Sequence, residues 1–390
     1  MKQRLLTPGP VPVPEETLLE LARPVTYHRT PEFRKVLAEV LQDLQYVYRT
    51  KNTVIPLTSS GTGALEASVV NSLPPGSKAI CLIAGRFGER FRSICKAFGV
   101  ETMAVTVPYG QAVQPEQLAT ALKEHPDAAA VCTTLSETST GVGHDIAAFG
   151  KQVAATPALL LVDAISGLGA MECRTDEWHI DLCATGSQKA LMLPPGLAFL
   201  AVSDKAWKQI DKNASPRTFY FDLKKTRKSL ETSDTPYTMA HTLVKALRVS
   251  LKRILAEGIE NVWARHARNA AAARAGFQAM GLELFASQPA AGLTVVKVPA
   301  GIDGVELLSK LEKQYGLKLA GGQDHLKGKI FRLAHMGYID QFDVLTGLAG
   351  VELVLLEMGF PVKPGSGVAA AQQALARSVP RTLAPEEVKS

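Results

Sequence analysis

The sequence predicts an α/β protein in which a large domain with a mostly parallel sheet precedes a smaller α+β C-terminal domain. Two patterns predict this class. Between residues 54 and 202, short apolar segments of strand length alternate with amphipathic segments of helix length, as in right-handed βαβ crossovers. After a long helical stretch, a shorter series of strands and helices runs from residue 293 to residue 358.

The elements of the large domain follow one another at short intervals. A strand at 54–57 precedes a helix that begins near Ala64, and a strand at 79–83 precedes a helix at 89–98. This alternation indicates that successive strands lie parallel, with a helix in each connection. Further strands are predicted at 128–133, 159–162, 182–185 and 197–202.

The second half of the chain begins with a helical stretch at 240–280, in which Gly258 is expected to separate two helices. The elements that follow it are a strand at 293–298, a helix at 304–315, a strand at 329–334 and a helix at 341–358. The domains are therefore predicted as an N-terminal arm at 1–20, a large domain at 21–262, a small domain at 263–362 and a flexible tail at 363–390. The tail is expected to be loosely held because Pro, Ala, Gly and Ser are frequent in it.

Composition narrows the class of protein. No apolar run approaches the length of a membrane-spanning helix, and the N-terminus lacks the apolar core of a signal peptide. We therefore expect a soluble cytoplasmic protein without a membrane partner. Five cysteines without a CxxC motif predict buried free thiols, and we predict no metal site. These cysteines are Cys81, Cys95, Cys132, Cys173 and Cys183.

The formal net charge is +6, with a pI near 9.0. The basic residues are scattered among acidic ones, and the densest run lies at 224–228. A solvated face explains such a run better than a nucleic-acid site does. A basic site for anionic small molecules would raise the charge equally well, so we expect no nucleic-acid partner.

Two of the predicted strands end in groups that suit one cofactor. Asp163 follows an apolar strand, and Lys189 lies 26 residues later, after the next strand. Ligands of open parallel sheets bind beyond the carboxyl ends of the strands, so both groups should face one site. A lysine can form a Schiff base with an aldehyde cofactor, and an aspartate can keep a pyridine nitrogen protonated. The pair predicts pyridoxal phosphate, although either residue alone could be a helix cap or a surface group.

Residues 59–63, Ser-Ser-Gly-Thr-Gly, lie between a strand and a helix. Small residues there let backbone N–H groups converge on an anion at the helix N-terminus. The segment matches neither the Walker P-loop nor the dinucleotide-binding motif, because no Gly-Lys-Ser/Thr follows and Glu66 occupies the third glycine position. It suits a monoester phosphate held by amides and hydroxyls, but an ordinary turn explains it about as well.

Two other strand ends carry groups that suit a flat, polar cofactor. Phe87, in Gly-Arg-Phe-Gly at 85–88, could stack on a heterocycle or fill the core. Residues 136–141 are rich in hydroxyl groups, which could bind a phenolic oxygen or simply form a polar turn. Neither motif is specific alone. Together with the anion turn, Asp163 and Lys189, they form a pattern that chance rarely produces.

Arg332 lies within an apolar strand of the predicted small domain. A buried guanidinium without a partner is costly, so it should face a cleft or an acidic residue. A substrate α-carboxylate is a natural bidentate partner for it, and a structural ion pair is the alternative.

These residues, in this order, resemble the class V aminotransferases of pyridoxal phosphate fold type I. The resemblance covers nearly the whole chain and is closest to the alanine–glyoxylate, serine–pyruvate and archaeal-type aspartate aminotransferases. The motifs that carry it are residues 7–10, 28–33, 187–189, 194–196, 320–322, 328–332 and 359–360.

The resemblance implies a role for each matching residue. Lys189 would be the Schiff-base lysine, and Asp163 would hold the pyridine nitrogen. Thr238 would reach the cofactor phosphate of the neighbouring subunit, which implies a homodimer with shared active sites. The other matches are Ser60, Gly61, Thr62 and Gln188 for the phosphate, Phe87 for stacking, Thr138 for the ring oxygen, and Arg332, Gly9 and Arg29 for the substrate.

The expected reaction is ping-pong transamination, which moves an amino group from alanine or serine to glyoxylate or pyruvate. Aspartate or phosphoserine is the alternative donor, because Arg29 and the net positive charge could contact a second anionic group. A cysteine desulfurase would need a thiol on a loop in the C-terminal half, whereas the last cysteine is Cys183. A non-catalytic relative that binds the cofactor or joins a complex is the other alternative.

Overall fold

The structure is a computed structural model that describes residues 2–213 and 217–378. Within these residues the strands are β1 (Arg4–Leu5), β2 (Thr53–Leu57), β3 (Lys78–Ile83), β4 (Glu101–Thr106), β5 (Ala130–Thr134), β6 (Ser136–Glu137), β7 (Val142–Gly143), β8 (Leu159–Asp163), β9 (Leu182–Gly186), β10 (Ala198–Val202), β11 (Leu293–Lys297), β12 (Leu317–Lys318), β13 (Ala320–Gly321) and β14 (Ile330–Ala334).

The helices alternate with these strands in the first half of the chain and predominate in the second. They are α1 (Glu15–Leu21), α2 (Pro31–Tyr48), α3 (Gly61–Ser72), α4 (Arg86–Ala97), α5 (Pro115–Glu124), α6 (Ile146–Ala154), α7 (Asp204–Lys212), α8 (Leu223–Leu230), α9 (His241–Glu257), α10 (Ile259–Ala279), α11 (Gly304–Tyr315), α12 (Gln341–Glu357) and α13 (Ser366–Ser378). A single 3₁₀ turn covers Asp324–Leu326.

A seven-stranded sheet organises the large part of the molecule, in the order β2-β10-β9-β8-β5-β3-β4. Its neighbouring strands are parallel from β9 to β4, whereas β10 is antiparallel to both β2 and β9. This arrangement confirms the predicted mostly parallel sheet. It also places the carboxyl ends of β2, β3, β5, β8 and β9 at one edge, since β2 and β9 are each antiparallel to β10.

Helices cover both faces of this sheet, because consecutive strand residues point to opposite sides. On β8, Leu160 and Val162 join a core with α2, α6 and α9. Leu159 and Leu161 join a second core with α3, α4 and α7. All five residues of β8 are buried, so the apolar run of the sequence is explained by burial on both faces.

The predicted helix boundaries are close to the observed ones in most places. Gly258 separates α9 from α10, with a φ of 82°. Helices α3 and α4 each begin three residues before their predicted starts, at Gly61 and Arg86. These earlier starts bring both helix N-termini directly to the ends of their strands. The elements that the sequence did not predict include β4, α5 and α6.

The C-terminal part contains a three-stranded antiparallel sheet in the order β11-β14-β13. Its apolar core includes residues of α10, α11 and α12, such as Phe277, Leu311 and Leu348. Helix α10 crosses the predicted domain boundary at 262/263. Its residue Trp263 belongs to the large core, whereas Phe277 belongs to the C-terminal core.

The flexible tail predicted for 363–390 is wrong over Ser366–Ser378, which form helix α13. Ala371 of this helix is buried in the C-terminal core, and a Cβ on Gly367 would overlap Met280 of the chain segment after α10. Glu352 of α12 accepts hydrogen bonds from the backbone N–H groups of Gly365 and Gly367. Packing and this helix cap therefore fix a segment whose composition suggested a loose one. Residues 379–390 lie outside the described residues.

The start of the chain joins the two parts of the molecule. Strand β1 pairs in parallel with β12, and Leu6 belongs to the C-terminal core. A few residues later, the N–H of Val11 donates to the carbonyl of Gln188, at 3.2 Å. The segment between them therefore passes over the end of β9.

The five cysteines are all buried and unpaired, as predicted. The Sγ atoms of Cys81, Cys95 and Cys132 lie within 4.8 Å of one another, inside the core between the sheet, α3 and α4. Among the described residues, no helix is both long and apolar enough to cross a membrane.

Candidate active site

The carboxyl ends of five strands surround one cavity, here called the strand-end hollow. It brings together eight of the predicted site residues, from five separate segments of the chain. Its lining residues are Ser60, Gly61, Thr62, Phe87, Arg90, Ser136, Thr138, Asp163, Ile165, Ser166, Gln188 and Lys189.

Lys189 follows β9 in a turn, and its amine donates a hydrogen bond to the carbonyl of Pro8. Burial lowers the pKa of this amine to about 8, and the nearby charges of Arg332 and Arg90 act in the same direction. Asp163 opposes them. About a tenth of the amine is therefore unprotonated at pH 7, a far larger share than for an exposed lysine, and this form acts as a nucleophile or general base.

Asp163 ends β8 and is buried. Burial raises the pKa of its carboxyl to about 7, against the favourable hydrogen bond from the N–H of Ile165, at 3.0 Å. Glu137 raises this pKa further, while Lys189 and Arg90 lower it. A cationic nitrogen placed in the hollow would find in Asp163 a buried carboxylate whose charge it could neutralise.

The N-terminus of α3 forms one end of the hollow. Ser60 is its N-cap residue, but the serine hydroxyl makes no capping hydrogen bond. A Cβ on Gly61 would lie 2.5 Å from Ile165 Cδ1, so only glycine fits there without a shift. The first N–H groups of the helix, the uncapped Ser60 hydroxyl and the helix dipole at this point suit an anion.

Phe87 is held in place by a residue that the sequence analysis missed. Glu137 is fully buried, and its carboxylate accepts hydrogen bonds from the N–H groups of Phe87, Gly88 and Ser139. It also accepts one from the Ser139 hydroxyl, at 2.6 Å. This single carboxylate joins the start of α4 to the hydroxyl-rich segment 136–141. An acidic residue within that apolar-flanked segment was the feature of the sequence that could have indicated its role.

Several polar atoms of the hollow are left without partners. The hydroxyl of Ser136 and the side-chain oxygen of Gln188 are buried and make no hydrogen bond within the described parts of the chain. The Thr138 hydroxyl donates to Ser166 Oγ, at 2.7 Å. Unsatisfied buried polar atoms are costly, and a ligand rich in oxygen atoms would satisfy these.

Arg332 lies behind Thr138, on β14 of the C-terminal sheet. Its Nε and Nη2 atoms donate to the carbonyl of Gly321, and its Nη1 atom donates to the carbonyl of Thr138. Burial lowers the pKa of the guanidinium to about 10, and Glu137 partly offsets this. In the described residues it forms no ion pair, and three of its five N–H donors are used, which leaves two for a carboxylate.

Gly9 touches the catalytic lysine candidate directly. A Cβ at this position would overlap the Nζ atom of Lys189, and the φ of Gly9 is +120°. Two separate constraints therefore require glycine here. The sequence motif 7–10 is explained by this close approach.

Two predicted site residues lie away from the hollow in this chain. Arg29 pairs with Asp234 at 3.2 Å, and Asp234 also binds Arg34 at 2.9 Å. Thr238 lines a separate depression together with Tyr220 and Tyr237.

Comparisons with known proteins agree with this geometry. The family model for class V aminotransferases matches residues 20–336. An L-aspartate–glyoxylate aminotransferase of Paracoccus denitrificans is 38% identical over 95% of each chain. A serine–glyoxylate aminotransferase of Arabidopsis thaliana is 35% identical over 97% of this chain and 96% of its own.

A solved structure shows the same similarity in three dimensions. The ureidoglycine–glyoxylate aminotransferase of Bacillus subtilis superimposes with a TM-score of 0.91 at 31% identity. The alignment covers 96% of this chain and 98% of the other. The chain therefore belongs to the class V aminotransferase family. It is a pyridoxal-phosphate-dependent aminotransferase of fold type I.

The hollow fits this cofactor on its own chemistry. It offers an anion site at α3, an aromatic side chain, a carboxylate and an amine, together with unsatisfied buried hydroxyl and amide groups. A phosphate, a flat ring, a pyridine nitrogen and an aldehyde are the matching parts of pyridoxal phosphate.

Proposed function

We propose that this enzyme moves the amino group of a small amino acid, alanine or serine, to glyoxylate or pyruvate in two half-reactions. The observation that carries the proposal is the shared hollow of Lys189 and Asp163, with Arg332 bound to its wall at Thr138. The names of the three relatives support glyoxylate as the acceptor, since each is a glyoxylate aminotransferase. The serine enzyme supports a small donor.

Lys189 carries the proton in this proposal. Bound pyridoxal phosphate supplies an aldehyde that exchanges amines and a ring that accepts electrons. With the cofactor bound, the Lys189 amine would take the proton from the substrate Cα as a base and give it up again as an acid. Its pKa of about 8 lets it act in both directions near neutral pH.

Asp163 and Phe87 hold the ring. Asp163 would accept a hydrogen bond from the pyridinium N–H, and the hydrogen bond from Ile165 fixes the orientation of its carboxylate. Phe87 would stack on the ring, and Glu137 fixes the backbone from which that side chain projects. The Thr138 hydroxyl would bind the ring oxygen.

The remaining residues bind the two ends of the reacting pair. Ser60, Gly61, Thr62 and Gln188 bind the phosphate. Arg332 binds the substrate α-carboxylate through its two remaining N–H groups and thereby selects which Cα bond is broken. Gly9 leaves room for the Lys189 amine to move.

We further propose a cytoplasmic homodimer in which the partner subunit completes each site. The support is an exposed aromatic surface beside Thr238. Phe219 is 76% exposed and Tyr220 is 43% exposed, and both rings contact Tyr237. Exposed apolar patches of this kind commonly mark interfaces.

An acidic donor is the second candidate. The similarity to an aspartate–glyoxylate aminotransferase favours aspartate, with phosphoserine as a related possibility. Arg29 would contact the second anionic group, and for that it would have to exchange its pairing with Asp234. Arg29→Ala should then weaken aspartate binding far more than alanine binding.

The deciding experiment adds alanine, serine, aspartate and phosphoserine in turn to the purified, cofactor-loaded enzyme. The donor should remove the visible absorbance of the bound cofactor, and glyoxylate should restore it. A loss with aspartate alone would replace the small donor by the acidic one. A yellow protein that none of them bleaches would instead favour a non-catalytic relative that binds the cofactor.

A further inference from the structure

The strand-end hollow contains a positive charge to which neither the sequence analysis nor the proposed mechanism gives a role. Arg90 lies in the second turn of α4, three residues after Phe87, and its side chain lines the hollow. Its guanidinium carbon lies 4.9 Å from the centre of the Phe87 ring. One Nη atom lies 3.5 Å from Thr62 Oγ1, at the N-terminus of α3.

Arg90 forms no ion pair within the described part of the chain. Its direct contacts there are with the Phe87 ring and the Thr62 hydroxyl. Its charge acts at longer range on Asp163 and lowers the pKa of that carboxyl, as the charge of Glu137 acts on Arg332. A half-buried cation without a direct ion pair pays a desolvation cost that a contact with a ring offsets only in part.

The position of the guanidinium indicates which charge would balance it. It contacts Thr62, which adjoins Gly61 at the start of α3, where the free N–H groups suit an anion. A phosphate monoester carries close to two negative charges near neutral pH. Backbone amides and hydroxyls bind its oxygen atoms but supply no full positive charge, and a guanidinium does.

We infer that Arg90 is the cationic partner of the cofactor phosphate. This inference rests on the proposed function. In it, the Phe87 ring and the Thr62 hydroxyl hold the guanidinium beside the anion site before the cofactor arrives. Arg90 thus binds one end of the cofactor, and its contact with Phe87 links the phosphate site to the ring that stacks on the pyridine.

Removal of the Arg90 charge should weaken the binding of pyridoxal phosphate but not the binding of pyridoxal, its unphosphorylated form. In Arg90→Gln, the dissociation constant of pyridoxal phosphate should rise about 10- to 100-fold, the usual range for a lost charge-assisted contact. That of pyridoxal should change less than about 3-fold, because pyridoxal lacks the phosphate. Equilibrium dialysis of the full-length apoprotein measures both constants without reference to catalysis.

The chain offers a matched control. Arg92 lies two residues later on α4, where its side chain donates to Thr102 at 3.1 Å, away from the hollow. Arg92→Gln removes the same charge from the same helix and should leave both dissociation constants unchanged. Arg90→Lys keeps the charge and should recover most of the affinity for pyridoxal phosphate.

The outcomes separate the possible errors. Equal weakening of pyridoxal and pyridoxal phosphate in Arg90→Gln would assign Arg90 to the packing of Phe87 and overturn the inference. Unchanged constants for both would also overturn it. If wild-type protein binds neither compound, the proposed function itself fails. If Arg90→Gln does not fold, Arg90→Lys provides the test. An Arg90→Lys protein that binds pyridoxal phosphate no more tightly than pyridoxal would contradict the inference.

Discussion

At the scale of single residues, the site depends on two buried groups whose pKa values are shifted in opposite senses. The carboxyl of Asp163 has its pKa raised to about 7, and the amine of Lys189 has its pKa lowered to about 8, in both cases chiefly by burial. Burial thus disfavours the charged form of each group, and a nearby opposite charge would favour it.

This shift predicts a pH dependence of apoprotein stability. Because the folded pKa of Asp163 exceeds the 3.8 of an exposed aspartate, folding favours its protonated form. That contribution is present below about pH 4 and is lost as the pH rises towards 7. Asp163→Asn cannot ionise, so between about pH 4.5 and about pH 7.5 the wild-type apoprotein should lose more stability than the variant, by a few kcal/mol.

Urea unfolding of both apoproteins at several pH values measures this difference. Titrating groups far from Asp163 are shared and cancel in the comparison, whereas the coupled groups Lys189 and Glu137 contribute to the difference together with Asp163. Parallel curves for wild type and variant would show that Asp163 is ionised at the same pH whether the chain is folded or not. That result would contradict the conclusion that burial raises the pKa of the Asp163 carboxyl.

At the scale of elements, the C-terminal helix shows how one side chain fixes a segment. Glu352 is buried on α12 and caps α13 through the N–H groups of Gly365 and Gly367. Removal of a buried acceptor leaves its donors unsatisfied. We therefore expect Glu352→Ala to lower the free energy of unfolding by about 1–3 kcal/mol and to open 366–378 to proteases.

A control is available on the same helix. Glu357 accepts a hydrogen bond from the exposed hydroxyl of Tyr315, and such exposed contacts contribute little. Glu357→Ala should leave the urea midpoint and the protease pattern nearly unchanged. Equal effects of the two substitutions would mean that the cap does not hold α13.

The elements also show what local patterns can and cannot predict. Strands β8 and β9 were predicted because burial on both faces leaves an uninterrupted apolar run. Strand β4 was missed because it lies at the sheet edge, where all its residues are exposed or half-buried. Helix α13 was missed because its order comes from tertiary packing against α10, which lies far away in sequence, and against α12.

The antiparallel orientation of β10 was missed for a related reason. Its five residues are all buried, as in the parallel strands, so its composition carries no information about direction. The direction follows from the short connection after β9, from 187 to 197, which is too short to return the chain to the other edge.

At the scale of the whole molecule, the site residues were predictable to different degrees. Residues with diagnostic chemistry at strand ends, such as Lys189 and Asp163, could be found because topology makes strand ends converge. Glu137 and Arg90 could not, since their importance lies in contacts with Phe87 that only the fold creates. The role of Thr238 cannot be predicted from the fold of one chain either, because the cofactor that it is proposed to contact belongs to another subunit.

The proposed dimer gives a prediction at this scale. The enzyme should sediment at twice the chain mass of 41.8 kDa. Phe219→Asp places a charge in the exposed aromatic surface and should shift the protein towards monomer, because burial of an unpaired charge is costly. Sedimentation velocity at several concentrations measures the shift, and cofactor affinity should fall with it if the partner subunit's side chains complete the site.

A matched substitution separates interface from surface. Phe342 is 66% exposed at the start of α12, and Phe342→Asp should leave the sedimentation unchanged. If both variants remain dimeric, the aromatic surface lies outside the interface.

The pairing of β1 with β12 limits the order in which parts of the enzyme can fold during synthesis. The ribosome makes Arg4 and Leu5 first. Their partners, Leu317 and Lys318, are made only after all seven strands of the large sheet. The seven-stranded sheet is complete in sequence by residue 202. A nascent chain can therefore contain every residue that lines the strand-end hollow before β12, the pairing partner of β1, has been made. Because β1 can pair only after β12 has been made, we expect the Pro8 carbonyl, which follows β1 in the chain, to reach its place beside the Lys189 amine after the seven-stranded sheet has formed.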